Sequence, residues 1–438
     1  MGSNKLIFID SGLAIKSFLY SGICKKKSLQ PIFTPELKDV SEEFGGIVLP
    51  QVDIPHKLSL LYKLDNFIFL FNQVEKKGDN AYSLYFKVES YVDNFIYLLG
   101  FTLSKLNCGY LIKYLISYVI RKSQSYKLYL KVLKNNHPKI VILSHQRSTN
   151  AAIFALAARD IGAKTICFIN SWDNIPKGVM RVESDYYILW SNFMLEEVKS
   201  HYGSTYVEKS LVLGTPQFDY VMKDYSDETN SSFDDEILYI LFTANDNVTG
   251  PYDHIYLEDL ISEVRKLNTE GNFKHSLKII LRINPVNPNP NFSRLSEINK
   301  DILKNSEPLW MASNNWKSGY PMENDSQILK YIISKSFCVI NIGSTICMDA
   351  AYLNTPTIFI KYNSKNITDL NWDIDKIYQY VHLNNFRNMG FTYELLRLED
   401  LESIFLNVLN GETPNLFGLV SKYNCSLGNF SKEIENVI

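Results

Sequence analysis

Three stretches in the second half of the chain put anion-binding residue types at the ends of apolar runs. Gly343-Ser344-Thr345 follows the run 337–342 and opens a helical pattern. Backbone N–H groups, the positive end of a helix dipole and two hydroxyls would converge there, as a phosphate requires. Ser or Thr at a helix start also reads as a plain N-cap. Asp349 lies four residues after Thr345, one turn on, and Ala350-Ala351 behind it allow close packing. In "KIILRINPVNP" an apolar strand ends on Arg282, with Asn284 in the polar loop beyond. A guanidinium at that mouth suits a diphosphate bidentately, although an Arg there also reads as a surface charge. The third stretch, "FTANDNVTG" at 242–250, offers Thr243 and Asn245 among small residues that let a phosphate approach the backbone. Trp310 and Met311, in "EPLWMASNNWKSGY" at 307–320, are candidates for stacking and pairing with a nucleobase, with burial in a core as the other reading.

The first half carries the candidates for proton transfer. His145 follows the apolar run 139–144 and is joined by Gln146, Arg147 and Ser148 before a helical pattern begins. In "NSWDNIPKG", 170–178, Asp173 is a candidate base, Lys177 a phosphate contact and Trp172 a platform for a sugar face. An Asx-type turn plugged by a buried Trp explains the same residues without a ligand. Asp10 ends the first apolar run beside Ser11-Gly12, which is also ordinary turn chemistry. His145 and Asp173 therefore rank together, ahead of Asp10, while Arg147, Trp172 and Lys177 are candidate contacts to a substrate. "LGTPQFD", 213–219, suits a sharp structural turn.

Elements must bring these residues together. At 438 residues the chain exceeds what one hydrophobic core usually serves, so two domains are expected. Strand patterns at 5–9, about 30–34, about 46–49, 139–144, 164–169, 185–190 and 210–213 alternate with helical ones at about 80–135, 148–161 and 191–201. The polar, acidic segment "SDETNSSFDDE", 226–236, reads as a linker. Beyond it strands at 237–243, 277–283, 337–342 and 356–361 alternate with helices at 253–267, 325–335, 345–353 and 398–410. The expected fold class is α/β: two Rossmann-like doubly wound domains, 1–225 and 237–415, facing a cleft, with a closing C-terminal helix at 416–438. Open parallel sheets bind ligands outside the carboxyl ends of their strands, where every candidate above falls.

Composition narrows the classes. Hydrophobic residues make up 46%, which a disordered chain would not carry, and a net charge of −2 gives no global field for nucleic acid. The six cysteines show no CxxC or metal spacing, and several sit in apolar runs, as reduced core thiols of a cytoplasmic protein would. No run is apolar enough to span a membrane. Charge is nonetheless segregated: residues 94–159 hold ten basic side chains and no acid, leaving 35 basic against 47 acidic residues elsewhere. "GYLIKYLISYVIRKSQSYKLYLKVLK", 109–134, mixes Leu, Ile and Tyr with Lys and Arg at helical intervals. An anionic membrane surface meeting 105–139 is one reading, and a solvated helix packed on a sheet is the other.

The pattern strand–"RINP", then a helix around Asp325, then strand–"GSTICMDAAYLNTPTIFI" resembles the donor-binding domain of GT-B glycosyltransferases. Bacterial surface-polysaccharide enzymes are the nearer likeness, and the glycerophosphotransferases of teichoic-acid synthesis a distant one. "SHQRSTNAAIFALAARDIGAKTICFINSWDN" with "LVLGTPQFD" is similar to the end of the acceptor domain in those enzymes. The likeness covers roughly 138–365. It implies a nucleotide-sugar donor bound mainly by the second domain, a glycan or polyprenyl-linked acceptor and the catalytic groups in the first, and no metal or other cofactor. With the core thiols and the basic segment, the expected location is the cytoplasm, peripheral on the inner membrane face. Many retaining members carry two glutamates seven apart on the donor helix, where this chain has Asp349 alone. Three alternatives stand beside a transferase: a polyol-phosphate transferase, a sugar-nucleotide 2-epimerase of the same architecture, and a glycan-binding subunit without catalysis.

Overall fold

The computed structural model describes residues 4–78, 82, 86, 88–221, 233–247, 249–311, 319–388, 390, 392–413, 415–422, 426 and 429–438. Most of the expected linker, all but four residues at its end, lies outside the described residues, as do 312–318 of the Trp310 loop. The chain forms two compact units, one of residues 1–220 with 423–438 and the other of residues 221–422.

In the first unit seven strands run parallel: β1 (Lys5–Ile9), β2 (Gln30–Phe33), β3 (Ile47–Val48), β4 (Ile140–Leu143), β5 (Lys164–Phe168), β6 (Tyr186–Leu189) and β7 (Ser210–Val212). Their order is β3-β2-β1-β4-β5-β6-β7. Nearly continuous apolar runs suit such a sheet because helices cover both faces. Leu6, Ile7, Phe8 and Ile9 are wholly buried, and the Phe8 ring stacks on Phe154 of the Thr149–Asp160 helix with centroids 4.7 Å apart.

The helical pattern expected at about 80–135 is three helices among the described residues: Tyr91–Lys105, Gly109–Lys122 and Gln124–Asn136. Asn107, with φ of 54°, breaks the first from the second. Ser123 ends the second and caps the third, its hydroxyl accepting from Tyr126 N at 3.1 Å. The sequence reading passed over a 22-residue helix, His56–Lys77, whose many Phe and Leu residues blur its period. Gly100 lets the Tyr91–Lys105 helix close on it, since a Cβ there would stand 2.9 Å from Phe67 Cβ.

The second unit repeats the plan. Its strands are β8 (Ile237–Thr243), β9 (Ser276–Arg282), β10 (Leu303–Asn305), the antiparallel pair β11 (Trp310–Met311) and β12 (Tyr320–Pro321), β13 (Cys338–Asn341), β14 (Thr357–Ile360) and β15 (Thr392–Leu395). The main sheet is parallel, in the order β10-β9-β8-β13-β14-β15. One face packs Leu241, Ile280 and Val339 against Ile332 and Ile333 of the Glu323–Lys335 helix. The sequence reading lacked β10 and β15, both short edge strands with little alternation.

In both sheets the direction of strand addition reverses beside the unit's first strand, between β1 and β4 and between β8 and β13. Such switch points are where doubly wound sheets receive ligands. Among the described residues of 416–438 the expected closing helix is two short ones: Leu416–Val420 packs in the second unit, where Phe417 meets Tyr352, and Phe430–Glu433 belongs to the first. Asp219 of "LGTPQFD" fixes that last turn, accepting from Phe430 N at 2.9 Å and Ser431 N at 3.0 Å.

Candidate functional site

Thr243 and Asn341 sit at the β8–β13 switch point, one step beyond the paired Phe242 and Ile340. Both are buried. Asn341 Oδ1 accepts from Ser344 N at 3.0 Å, which folds the turn after β13, while its Nδ2 has no hydrogen-bond partner among the described residues. Thr243 Oγ1 is likewise unpartnered among them. Asn245 ties the two strand tips together: its Nδ2 donates to Ile342 O at 3.1 Å and to Asp253 Oδ2 at 3.2 Å, and its backbone N donates to the same oxygen at 2.7 Å. Burial pushes the Asp253 carboxyl up to about 7, against the Asn245 hydrogen bonds that favour its charged form. Its Oδ1 lacks a partner among the described residues. A Cβ on Gly250 would come within 2.4 Å of that oxygen, so only glycine lets the loop close over the acid.

Gly343 turns with φ of 62°. Thr345 is the N-cap residue of the short helix Ile346–Tyr352 and makes no side-chain cap. Its exposed hydroxyl and that of half-exposed Ser344 are therefore not committed to the helix start, whereas the Ser344 N–H is. Asp349 is half-buried on the same helix.

Arg282 corrects an expectation. Its guanidinium is buried and turned to the loop after β10 and to the Glu323–Lys335 helix. Nη1 donates to Ser306 O, Ser306 Oγ and Glu307 O at 3.3, 3.1 and 2.9 Å, and Nη2 to Asp325 Oδ1 at 2.5 Å. Asp325 also accepts from Leu309 N at 2.5 Å and from Trp310 Nε1 at 3.2 Å. A buried carboxylate drawing three donors outcompetes an exposed ligand for the guanidinium, so Arg282 fastens the fold and makes no bond to Gly343-Ser344-Thr345. The Trp310 indole edge is held by the same acid, and Met311 is largely exposed. Asn284 closes its own turn, accepting from Val286 N at 2.8 Å.

In the first unit the tips of β1, β4 and β5 are linked by hydrogen bonds. Buried Asp10 accepts from Ser144 Oγ at 3.2 Å across the β1–β4 switch point. Gln146 Oε1 accepts from Asn170 N at 3.1 Å, and Arg147 Nη1 donates to Asn174 Oδ1 at 3.2 Å. The loop 170–178 is thereby pinned to the loop after β4. Asp173 and Lys177 form an ion pair one turn apart, and Trp172 is buried as a plug.

His145 Nδ1 accepts from Arg147 N at 3.0 Å. Burial, with Arg147 and Arg181 nearby, pushes the imidazole down to about 3. The ring is thus neutral at physiological pH with its proton on Nε2, so the group it offers a ligand is a donor. The first unit also holds a cavity of about 70 Å³ lined by residues including Tyr62, Asp65, Lys113, Met180, Arg181 and Glu183. Arg181 stacks on the Tyr62 ring at 4.7 Å, and burial lifts Asp65 to about 6. The sequence reading missed this cluster because its residues come from three separated segments and share no local motif.

No protein-family model matches the chain, and no curated protein does. Solved structures align along almost its whole length. UDP-GlcNAc 2-epimerase from Neisseria meningitidis bound to UDP-GlcNAc superposes with a TM-score of 0.57 at 12% identity, covering 99% of this chain and 98% of that one. S. aureus MnaA in its UDP co-structure gives 0.54 at 14% identity, with 98% and 94% covered. MurG from Acinetobacter baumannii aligns more weakly, at 0.47 and 11% identity, with 96% and 94% covered. The chain has the GT-B fold of two Rossmann-like units. At such identities the likeness speaks to fold alone.

Proposed function

We propose that the chain is a nucleotide-sugar enzyme of the GT-B fold, a glycosyltransferase that binds its donor at the β8–β13 switch point and passes the sugar to a surface-glycan acceptor. The observation that carries this reading is the polar set left incompletely satisfied there: Thr243 Oγ1, Asn341 Nδ2 and Asp253 Oδ1. Buried polar groups without partners are rare and call for a ligand or water. With Arg282 committed elsewhere, the diphosphate would rest on neutral donors, the hydroxyls of Ser344 and Thr345 and the backbone around Gly343, with Asp349 near the ribose. The aligned structures hold UDP or UDP-GlcNAc, which makes UDP-sugars the first donors to try.

On the acceptor side His145 would donate through Nε2, and Asp173, paired with Lys177, would take the acceptor proton. Arg147, Trp172 and Asp10 border that place. No metal enters this scheme, because hydroxyls and a helix start can stabilise a leaving diphosphate. The enzyme would work at the inner membrane face, where soluble donors meet a polyprenyl-linked glycan.

A second reading, a sugar-nucleotide 2-epimerase, is favoured by the aligned UDP-GlcNAc 2-epimerase from Neisseria meningitidis, at a TM-score of 0.57. Inverting a C–H centre needs one group to remove a proton and another to return it from the opposite face. His145, held as a donor with a low pKa, fits poorly into such a pair. Incubation with UDP-GlcNAc followed by NMR separates the readings. A transferase releases UDP only when an acceptor is added, an epimerase forms the C2 epimer from donor alone, and a polyol-phosphate transferase releases a nucleoside monophosphate from a CDP-polyol. Appearance of the C2 epimer without acceptor would sink the transferase reading.

A further inference from the structure

We propose that the helical hairpin 91–122 of the first unit is a docking face for an anionic lipid bilayer. The Tyr91–Lys105 helix buries only Ile96, Gly100 and Ser104, and the Gly109–Lys122 helix only Ile112, Ile116 and Ile120. Each is a single line at four-residue spacing, packed toward the His56–Lys77 helix. On a protein surface the remaining positions should be polar. Here they are not. Tyr91, Val92, Phe95, Leu98 and Leu99 stand 36 to 96% exposed on the first helix, and Tyr110, Leu111, Tyr114, Leu115 and Tyr118 stand 43 to 72% exposed on the second. Their spacing draws one continuous stripe along each helix. With Phe101 and Leu106, twelve of the 22 exposed large apolar side chains among the described residues fall between 91 and 118. Patches of that extent mark an interaction surface.

Charge decides the occupant. Lys122, at the carboxyl end of the second helix, holds its ammonium group 5.7 Å over the Tyr118 ring, the posture of a cation at the edge of an apolar layer, and Lys105, at the end of the first, stands 5.1 Å over the Phe101 ring while also meeting Glu75 at 3.5 Å. The next helix adds exposed Lys127, Lys131 and Lys134, which form no ion pair among the described residues. Acids are absent from 94 to 159, and Asp93 is already paired with Lys63 at 2.5 Å. A second copy of this face would set lysine against lysine, whereas anionic headgroups would neutralise them. Tyrosine supplies four of the ten stripe residues, Tyr91, Tyr110, Tyr114 and Tyr118, each with the apolar ring and polar tip suited to the interface. No helix among the described residues is long and apolar enough to cross a membrane, so the hairpin would lie in the plane of the headgroups. The structure also moves the apolar part of this surface from the expected 105–139 to 91–118. Tyr126, Tyr129 and Leu133 of the following helix turn into the core, and its exposed positions are polar: Gln124, Lys127, Lys131, Lys134 and Asn135.

Co-sedimentation of the full chain with vesicles tests this without reference to activity. The chain is expected to bind POPC vesicles containing roughly one-third POPG, and to bind pure POPC about tenfold more weakly, with attachment weakening as salt rises. Phe95→Ser with Tyr114→Ser should cut binding to the POPG vesicles by about tenfold or more while leaving the melting temperature unchanged, because both side chains are exposed. Tyr114→Trp gives a readout independent of that variant: its indole emission should shift to the blue on adding POPG vesicles and be quenched by brominated lipid. Failure to bind POPG vesicles, or an unshifted indole, overturns the proposal. So does a dimer in sedimentation velocity that the double substitution dissolves while vesicle binding stays absent.

Discussion

At the β1–β4 rim of the first unit the strand tips carry ionisable side chains, Asp10, His145, Arg147, Asp173 and Lys177, each held by a neighbour. At the β8–β13 rim of the second unit, built on the same strand order, the tips carry Thr243, Asn245, Asn341 and Ser344, with one buried acid, Asp253, whose charge burial opposes. The contrast extends to arginine. Arg147 stays half-buried with a single bond to Asn174, whereas Arg282 is sealed under four bonds. One scaffold thus serves two purposes: ionisable groups held by their neighbours at one rim can move a proton, and neutral donors at a turn can cradle a charged ligand without fixing its protonation. Strand order positions both rims, and side-chain type differentiates them.

The largest way to break this comparison is at Arg282. Arg282→Ala leaves Asp325 buried and uncompensated, and should cost about 3–5 kcal/mol in denaturant unfolding. Arg147→Ala should cost less than about 1 kcal/mol, because its partner is neutral and the side chain is half-exposed. If Arg282→Ala were as stable as the parent yet lost nucleotide affinity, Arg282 would return to the diphosphate and the ion-pair reading would fail.

That residue also shows how far the sequence could be read. Strand positions were legible from apolar runs: all seven of the first sheet, and four of the six in the second, lie within a residue or two of the expected spans. The turn after β13 was legible because Gly343 sits between a buried strand and hydroxyl residues. The orientation of Arg282 was not legible, since its partner Asp325 is 43 positions away and reads locally as a residue of a helix start. The protonation character of His145 was hidden for a similar reason. A backbone N–H two residues on takes its Nδ1, and Arg181, from a distant loop, adds to its depression. The His56–Lys77 helix escaped because it is apolar on more than one face, being itself covered by the hairpin.

Asp253 sharpens the second rim through pH. Its folded pKa of about 7 lies above the 3.8 of the free acid, so the folded state binds more protons between those values. Stability should therefore fall as pH rises from about 4 to about 7 and change no further above that. Asp253→Asn keeps an acceptor for Asn245 and removes the slope. It should be near neutral at pH 4 and gain on the order of 3 kcal/mol relative to the parent at pH 8. Parallel stability curves for the two proteins would show that the acid is compensated in some other way.

His145 tests the first rim. As a donor with its pKa near 3, it should leave no titration limb in turnover between pH 5 and 8. His145→Ala should slow turnover by about 10- to 100-fold, and His145→Gln, which can place an N–H near the position of Nε2, should recover part of the loss. A rate that rises through pH 6.5 in the parent and is flat in both variants would make the imidazole a base after all.

Thr345 is the smallest case and separates a cap from a ligand contact. A hydroxyl that caps a helix contributes about 1 kcal/mol of stability, and its loss is felt without any ligand. Thr345 makes no cap and is exposed, so Thr345→Ala should change the melting temperature of the free protein by less than about one degree. Nucleotide affinity, measured by calorimetry with UDP, should fall a few-fold, roughly 0.5–1 kcal/mol for one hydrogen bond to a charged group that solvent partly replaces. The reverse outcome, a destabilised free protein with unchanged affinity, would turn Gly343-Ser344-Thr345 into ordinary helix-start chemistry and leave the neutral rim without its phosphate.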